Sequence, residues 1–402
     1  MNTKRIDHFM SRLFKMAEIG ATSNGGVYRL TLTDEDKAAR GLFSDWAREL
    51  GCSIEVDQIG NQFAIKQGSY SSAPAILIGS HLDSQPTGGK YDGTLGVLAG
   101  LEVLSRLMDE GVSHKNPIII ANWTNEEGAR FSPAMIGSGV FAGEFSLTYA
   151  HEQADSEGVS VKEALNKIGY LGNGGIEKNI KASFELHIEQ GPVLETENKQ
   201  IGVVTGVQGI RWYKISITGR EDHAGTAPMH LRSDPIRTMN AMISDFYAMA
   251  EVHQPEAKLT IGTIKTEPQS INTVPGSVTF SLDIRHPDET VLELMHNEIL
   301  NSCTHKYQDV KLEPLWHSPH VPFHKGCIDA IENAAVKLEI PYKKMVSGAG
   351  HDSVYISKVA PVGMIFIPCK DGISHNEAEY ASPEDIEAGL SVLYEAVKSM
   401  IK

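Results

Sequence analysis

Three short apolar runs constrain this chain more than anything else in it: Ala75-Ile-Leu-Ile-Gly79, Pro117-Ile-Ile-Ile-Ala121 and Val362–Ile367. Each reads as a strand buried on both faces. Between the first two, Leu95 to Met108 carries the pattern of an apolar helix. Upstream, Thr33 is placed to cap a helix running through Glu49, with Asp36 at the capping-box position and Leu42, Phe43, Trp46 and Leu50 on one side. Strands alternating with helices predict an α/β layer sandwich on a mixed, largely parallel sheet.

That texture is interrupted. From Gly209 the chain predicts a strand at Trp212–Thr218, a helix at Asp234–Ala250 and strands at Lys258–Ile264 and Ser277–Ile284. A helix at Asp288–Tyr307 and a strand at Val310–Leu315 follow. The order β-α-β-β-α-β is that of a ferredoxin-like sandwich. After Pro319 and Pro322 the α/β texture returns, with a helix over about 326–339. We therefore expect a catalytic domain split into residues 1–208 and 320–402, with an inserted domain at 209–319. A hinge-joined insert of this kind often serves as a lid. The 402 residues suffice for about two cores.

Composition narrows the function. Lys and Arg number 36 against 51 Asp and Glu, a net charge of −15. Nucleic-acid tracking and anionic-membrane binding both need a basic face and are disfavoured. No apolar run reaches the roughly 18–20 residues of a membrane span, and residues 1–20 lack the apolar stretch of a secretory signal. The four cysteines show no CxxC spacing, which argues against a disulfide framework and a thiolate zinc site. The expectation is a soluble, cytoplasmic protein.

Chemistry-bearing residues cluster just after the predicted strands. Gly79-Ser-His81-Leu-Asp83 follows the Ala75 run, Asp92 precedes the Leu95 helix, and Asn125-Glu126-Glu127 follows the Pro117 run. Leu186-His187-Ile-Glu189-Gln190 closes a strand beginning at Ser183, and Ser374-His375-Asn follows Val362–Ile367. In open α/β sheets, side chains beyond the carboxyl ends of the strands converge on one crevice. Imidazoles and carboxylates gathered there can hold two divalent cations, one carboxylate bridging them. Any one of these pieces would be unremarked in a loop; their joint placement after separate strands is what points to a metal site.

The same stretches resemble a family. Gly79-Ser-His-Leu-Asp-Ser, Gly89-Lys-Tyr-Asp-Gly, Asn125-Glu-Glu-Gly-Ala-Arg-Phe, Glu185-Leu-His-Ile-Glu-Gln-Gly-Pro, His223-Ala-Gly-Thr-Ala-Pro-Met, Ser347-Gly-Ala-Gly-His-Asp-Ser and Gly372-Ile-Ser-His-Asn are similar to motifs of the di-zinc amidohydrolases related to aminoacylases and carboxypeptidases. Within them, the imidazole at His187, where related peptidases carry a carboxylate, resembles the hydantoinase/carbamoylase branch. Ala227 departs from the pattern, since many relatives have a second threonine there.

The resemblance implies a di-zinc exopeptidase-like catalytic domain carrying an inserted lid and dimerisation domain, and two divalent metals per subunit, zinc first and manganese, cobalt or nickel as alternatives. It implies Asp92 as the bridging ligand, His81 and His187 completing one sphere, and Glu127 and His375 the other. Asp83 would accept a hydrogen bond from His81, and Glu126 would be the general base that passes a water proton to the departing nitrogen. Gln190, His223, Asn272, Arg285, Gly350 and His351 would hold the substrate, His223 stabilising the oxyanion and Arg285 gripping a carboxylate, with Gly348 also allowing close backbone approach. The implied reaction is hydrolysis of N-carbamoyl-β-alanine or an N-carbamoyl-L-α-amino acid to amino acid, ammonia and carbon dioxide. The wording around His81, Lys90–Gly100 and Asp371 most resembles the β-ureidopropionases. Allantoate hydrolysis is the alternative, followed by an aminoacylase or dipeptidase activity or a non-catalytic binding role. Relatives of this type are homodimers in which some substrate contacts come from the partner.

Overall fold

In the computed structural model, which describes residues 3–401, the chain divides into two compact units. One is formed by the chain up to Thr205 together with the chain from Phe323 onward, the other by Gly206–Pro322.

The first unit is built on a mixed sheet whose strands lie in the order Ser53–Val56, Gln62–Lys66, Ile118–Trp123, Ala75–His81, Ile180–Ile188, Val362–Ile367 and Ile201–Val207. The four strands from Ile118–Trp123 to Val362–Ile367 run parallel to their neighbours, and antiparallel strands flank them. Three of these, Ala75–His81, Ile118–Trp123 and Val362–Ile367, are buried from end to end, which is why they are apolar without alternation. Helix Thr94–Asp109 packs on this sheet closely enough that a Cβ on Gly96 would stand 2.7 Å from the Leu186 carbonyl. That approach seats the helix start, and Asp92 just before it, beside the strand ends.

The Thr33 cap forms as expected, its hydroxyl accepting from the Asp36 N–H at 3.3 Å. The rest of the expected capping box does not. The Asp36 carboxylate accepts instead from Leu32 N at 2.7 Å and pairs with Arg40 at 2.9 Å, both side chains buried. The helix accordingly buries Asp36, Ala39, Arg40, Phe43 and Ala47, while Leu42, Trp46 and Leu50 only flank the core. Arg40 also donates to the Gly60 carbonyl at 2.6 Å and to Thr124 Oγ1 at 3.2 Å, two residues before Glu126. Asp36→Ala would leave this guanidinium buried without its counter-charge. We expect a loss of roughly 3–5 kcal/mol of stability, measurable by urea unfolding at unchanged m-value.

The second unit is an antiparallel sheet in the order Ile264–Glu267, Ser277–His286, Gly209–Thr218, Val310–Ser318, with Lys258–Thr260 also paired to Ser277–His286. Residues 278, 280, 282 and 284 are buried and their neighbours half-exposed, so one face carries the core. Helices Pro235–Val252 and Glu289–Asn301 contribute Met242, Phe246, Leu292 and Met295 to it. The strand expected at Lys258–Ile264 is two pieces. Across the break around Gly262, the Ser281 hydroxyl accepts from Thr263 N at 3.0 Å and replaces one rung of the ladder.

Candidate metal centre

His81, expected just after its strand, is part of it, whereas His187 closes its strand as expected. His81 is the last residue of Ala75–His81, and His187 the penultimate residue of Ile180–Ile188. Both rings are buried with Nδ1 against a backbone carbonyl, Asp83 O at 2.9 Å and Ile188 O at 2.9 Å. A carbonyl only accepts, so Nδ1 carries a proton and Nε2 is the nitrogen turned toward the cluster, where that of His187 also lies 3.4 Å from Gly93 N. The expected bond from His81 to the Asp83 carboxylate is therefore corrected: that oxygen lies 3.8 Å away. The Asp83 carboxylate instead accepts from Glu126 N at 3.4 Å and Glu127 N at 3.3 Å, orienting the glutamate turn.

The two Nε2 atoms meet at Asp92. Its Oδ1 is 3.0 Å from His187 Nε2 and 3.6 Å from His81 Nε2, and its Oδ2 is 3.5 Å from His375 Nε2. Glu127 Oε2 is 3.4 Å from the same His375 nitrogen. His81, Asp92 and His187 form one donor triad and Asp92, Glu127 and His375 another, the ligand atoms of each lying within 4.8 Å of one another. Glu126 stands beside the first, its Oε2 3.5 Å from His81 Nε2. His375 is half-exposed and marks the open side of the cluster.

Local backbone holds these groups in place. Gly93 has φ +61°, and a Cβ there would fall 2.3 Å from the His81 ring, so only glycine lets Asp92 approach that imidazole. Asn125, Gln190 and His375 all sit at positive φ, between 53° and 59°. Strain of that kind in non-glycine residues collects where side chains must be aimed.

The donors compete for positive charge. Burial, then the charge of Asp92, pushes Glu127 up to about 8. Burial, with Asp352, Glu127 and Asp92 nearby, pushes Glu126 well above the usual carboxylate range. Burial acts against ionised Asp92 too, but His187 and His81 outweigh it and hold that carboxyl well below its usual range. Carboxylates crowded with imidazoles in a low-dielectric site are a donor set that a divalent cation fits, its charge replacing that of the protons they would otherwise share.

Among the other expected residues, Gln190 donates from Nε2 to Asp92 Oδ2 at 2.8 Å, so it reaches the cluster directly. The buried His351 ring packs edge-on against His187 at 4.7 Å between centroids, and Gly350 beside it is exposed. His223, Asn272 and Arg285 belong to the second unit. There Thr273 pairs with His223, and Ala224 N donates to the Asn272 carbonyl at 3.0 Å, which joins His223 and Asn272. His223 Nδ1 accepts from Gly225 N and Thr226 N, fixing the neutral ring's proton on Nε2. Arg285 pairs with Asp283 at 2.8 Å.

Two supports went unseen in the sequence. Gln85 donates to Glu127 from its backbone N at 3.1 Å and from Nε2 at 2.8 Å. Glu379 accepts from the backbone of Tyr91 and Asp92. Both lie just past the stretches quoted for His81 and His375, and polar residues in loops carry no periodic signal.

A unit built on a mixed sheet buried on both faces, with paired donor triads at its strand ends and a ferredoxin-like insert, defines a metal-dependent hydrolase architecture. Residues 77–399 match Peptidase family M20/M25/M40, and the chain belongs to that family. It is 44% identical over 396 residues to an N-carbamoyl-L-amino-acid amidohydrolase of Rhizobium meliloti, covering 97% of this chain and 95% of that protein. It is 34% identical over 386 residues to an allantoate amidohydrolase of Bacillus subtilis, covering 94% and 93%. A crystal structure of an amidase of the hydantoinase/carbamoylase family from Burkholderia multivorans superimposes with a TM-score of 0.94 at 46% identity, covering 98% of each chain.

Proposed function

We propose that this protein is an amidohydrolase that removes the carbamoyl group from N-carbamoyl-L-α-amino acids, releasing amino acid, ammonia and carbon dioxide. The observation that carries the reading is the pair of donor triads sharing Asp92, with an imidazole at position 187 and Glu126 alongside. The 44% identity to a named N-carbamoyl-L-amino-acid amidohydrolase favours the α-acids over N-carbamoyl-β-alanine. Two divalent cations fit the two triads, and mixed nitrogen and oxygen donors suit zinc, manganese, cobalt or nickel. When bound, such cations supply Lewis acidity, polarising the ureido carbonyl and bringing a water's pKa down to about 7.

The chain's own groups do the rest. Glu126 takes the water's proton and hands it to the departing nitrogen. Gln190 and His351 orient the ureido group, and the Nε2–H of His223 is pre-set to donate to a developing oxyanion. Arg285 grips the substrate carboxylate, exchanging its Asp283 partner for a bidentate one.

A homodimer is part of the proposal. The strand from Ser277 to Arg285 is extended over roughly 26 Å, and His223 and Asn272 attach beyond its Ser277 end. One copy therefore does not present both ends to one small acid, which supports a site completed by the partner subunit's His223. The inserted unit would then act as lid and dimer contact. A cytoplasmic location is consistent with four free, buried cysteines.

Ammonia release from a panel of ureido acids by metal-loaded protein tests the function: N-carbamoyl-L-amino acids should be turned over and their D-isomers should not. The allantoate reading is favoured by the Bacillus subtilis relative, and a higher kcat/KM for allantoate than for every carbamoyl acid would establish it instead. Arg285→Ala should raise KM for carboxylate substrates about 10–100-fold, the worth of a charge-assisted pair. Equal KM changes for an acid and its amide would remove Arg285 from the site.

A further inference from the structure

We propose that Glu379 is a positioning residue for the metal centre: it aims the Asp92 carboxylate by accepting hydrogen bonds from the turn that carries it. The inference rests on the reading of Asp92 and His375 as metal ligands. Glu379 is buried, and one of its oxygens, Oε1, accepts from both Tyr91 N and Asp92 N, each at 3.0 Å. Two successive N–H groups converging on one oxygen fix the orientation of the peptide planes on either side of Tyr91 and thereby the direction in which Asp92 leaves the backbone. The second oxygen accepts from Ser374 Oγ at 3.2 Å, immediately before His375. One carboxylate thus ties the loop of the shared ligand to the loop of a second ligand, although Asp92 and Glu379 are 287 residues apart.

The surroundings are shaped for this contact. A Cβ on Gly89 would lie 2.0 Å from Glu379 Oε1, so glycine at that position makes room for the carboxylate. Two residues earlier, Glu377 accepts from Thr22 Oγ1 and from Asn24 Nδ2, anchoring the same segment to the N-terminal loop. Its hydrogen bonds run to the backbone of Tyr91 and Asp92 and to the Ser374 hydroxyl, which also donates to Asp92 Oδ2, so its effect passes through Asp92.

Geometry and charge make opposite forecasts for two variants. Glu379→Gln keeps the length and the accepting oxygen but loses the charge. Glu379→Asp keeps the charge but withdraws the acceptor by one methylene. Zinc affinity is measured for each apoprotein by competition with a chromophoric chelator, with circular dichroism confirming the fold. Glu379→Gln should bind zinc within a few-fold of wild type, whereas Glu379→Asp should bind about 10–100-fold more weakly, the usual cost of removing an outer support from a metal ligand. The reverse order, or wild-type affinity in both, would overturn the assignment. Wild-type protein that takes up no zinc would instead overturn the proposed function, and this inference with it.

Discussion

Glu126→Gln retains its full metal content and loses about 10²–10⁴-fold in kcat, the range attributed to a positioned general base. The substitution is nearly isosteric, and the side chain is buried, so packing is conserved. What changes is the capacity to take a proton, since an amide cannot. In the structure Glu126 lies 3.5 Å from His81 Nε2 yet belongs to neither donor triad, whereas its neighbour Glu127 faces His375. The two adjacent carboxylates are therefore separable by experiment. Metal analysis of the purified variant alongside steady-state kinetics checks both halves of the expectation. Loss of metal with Glu126→Gln would mean that base and ligand had been exchanged.

Asp92→Asn should have the larger effect on metal. Asp92 is the residue common to both triads, one oxygen directed at His187 and His81 and the other at His375. An amide at that position removes the negative charge both cations would share. Both equivalents should be lost at a chelator concentration that wild type withstands. Turnover should fall by about 10³-fold or more, since Lewis acid stabilisation is worth several kcal/mol. His375→Ala, touching only one triad, should lose one equivalent and keep the other. Equal retention of metal by Asp92→Asn and wild type would remove Asp92 from the shared position.

Much of this arrangement is written locally. The strand at Val362–Ile367 has the bounds its apolar run predicts, and the donors lie where each run ends. What was not legible was mostly contact between distant segments. His81 reads as a loop residue because a polar side chain follows the apolar run, yet backbone pairing continues through it to Trp123. Asp83 looks like a partner for His81, but the nearer acceptor for that ring is the Asp83 carbonyl, leaving the carboxylate to the glutamate turn. Asp36 has the spacing of a capping box, and the buried Arg40 one turn later claims it instead. Glu379 and Gln85 support the centre through bonds that no periodicity reports.

Two divalent cations, one on either side of Asp92, are what the proposed chemistry requires. Anomalous diffraction from crystals of the zinc-loaded protein, collected above and below the zinc edge, tests for them directly. Two peaks per chain are expected, one among His81, Asp92 and His187 and one among Asp92, Glu127 and His375. Data with no peak touching Asp92, from protein that hydrolyses N-carbamoyl-L-amino acids, would contradict this arrangement.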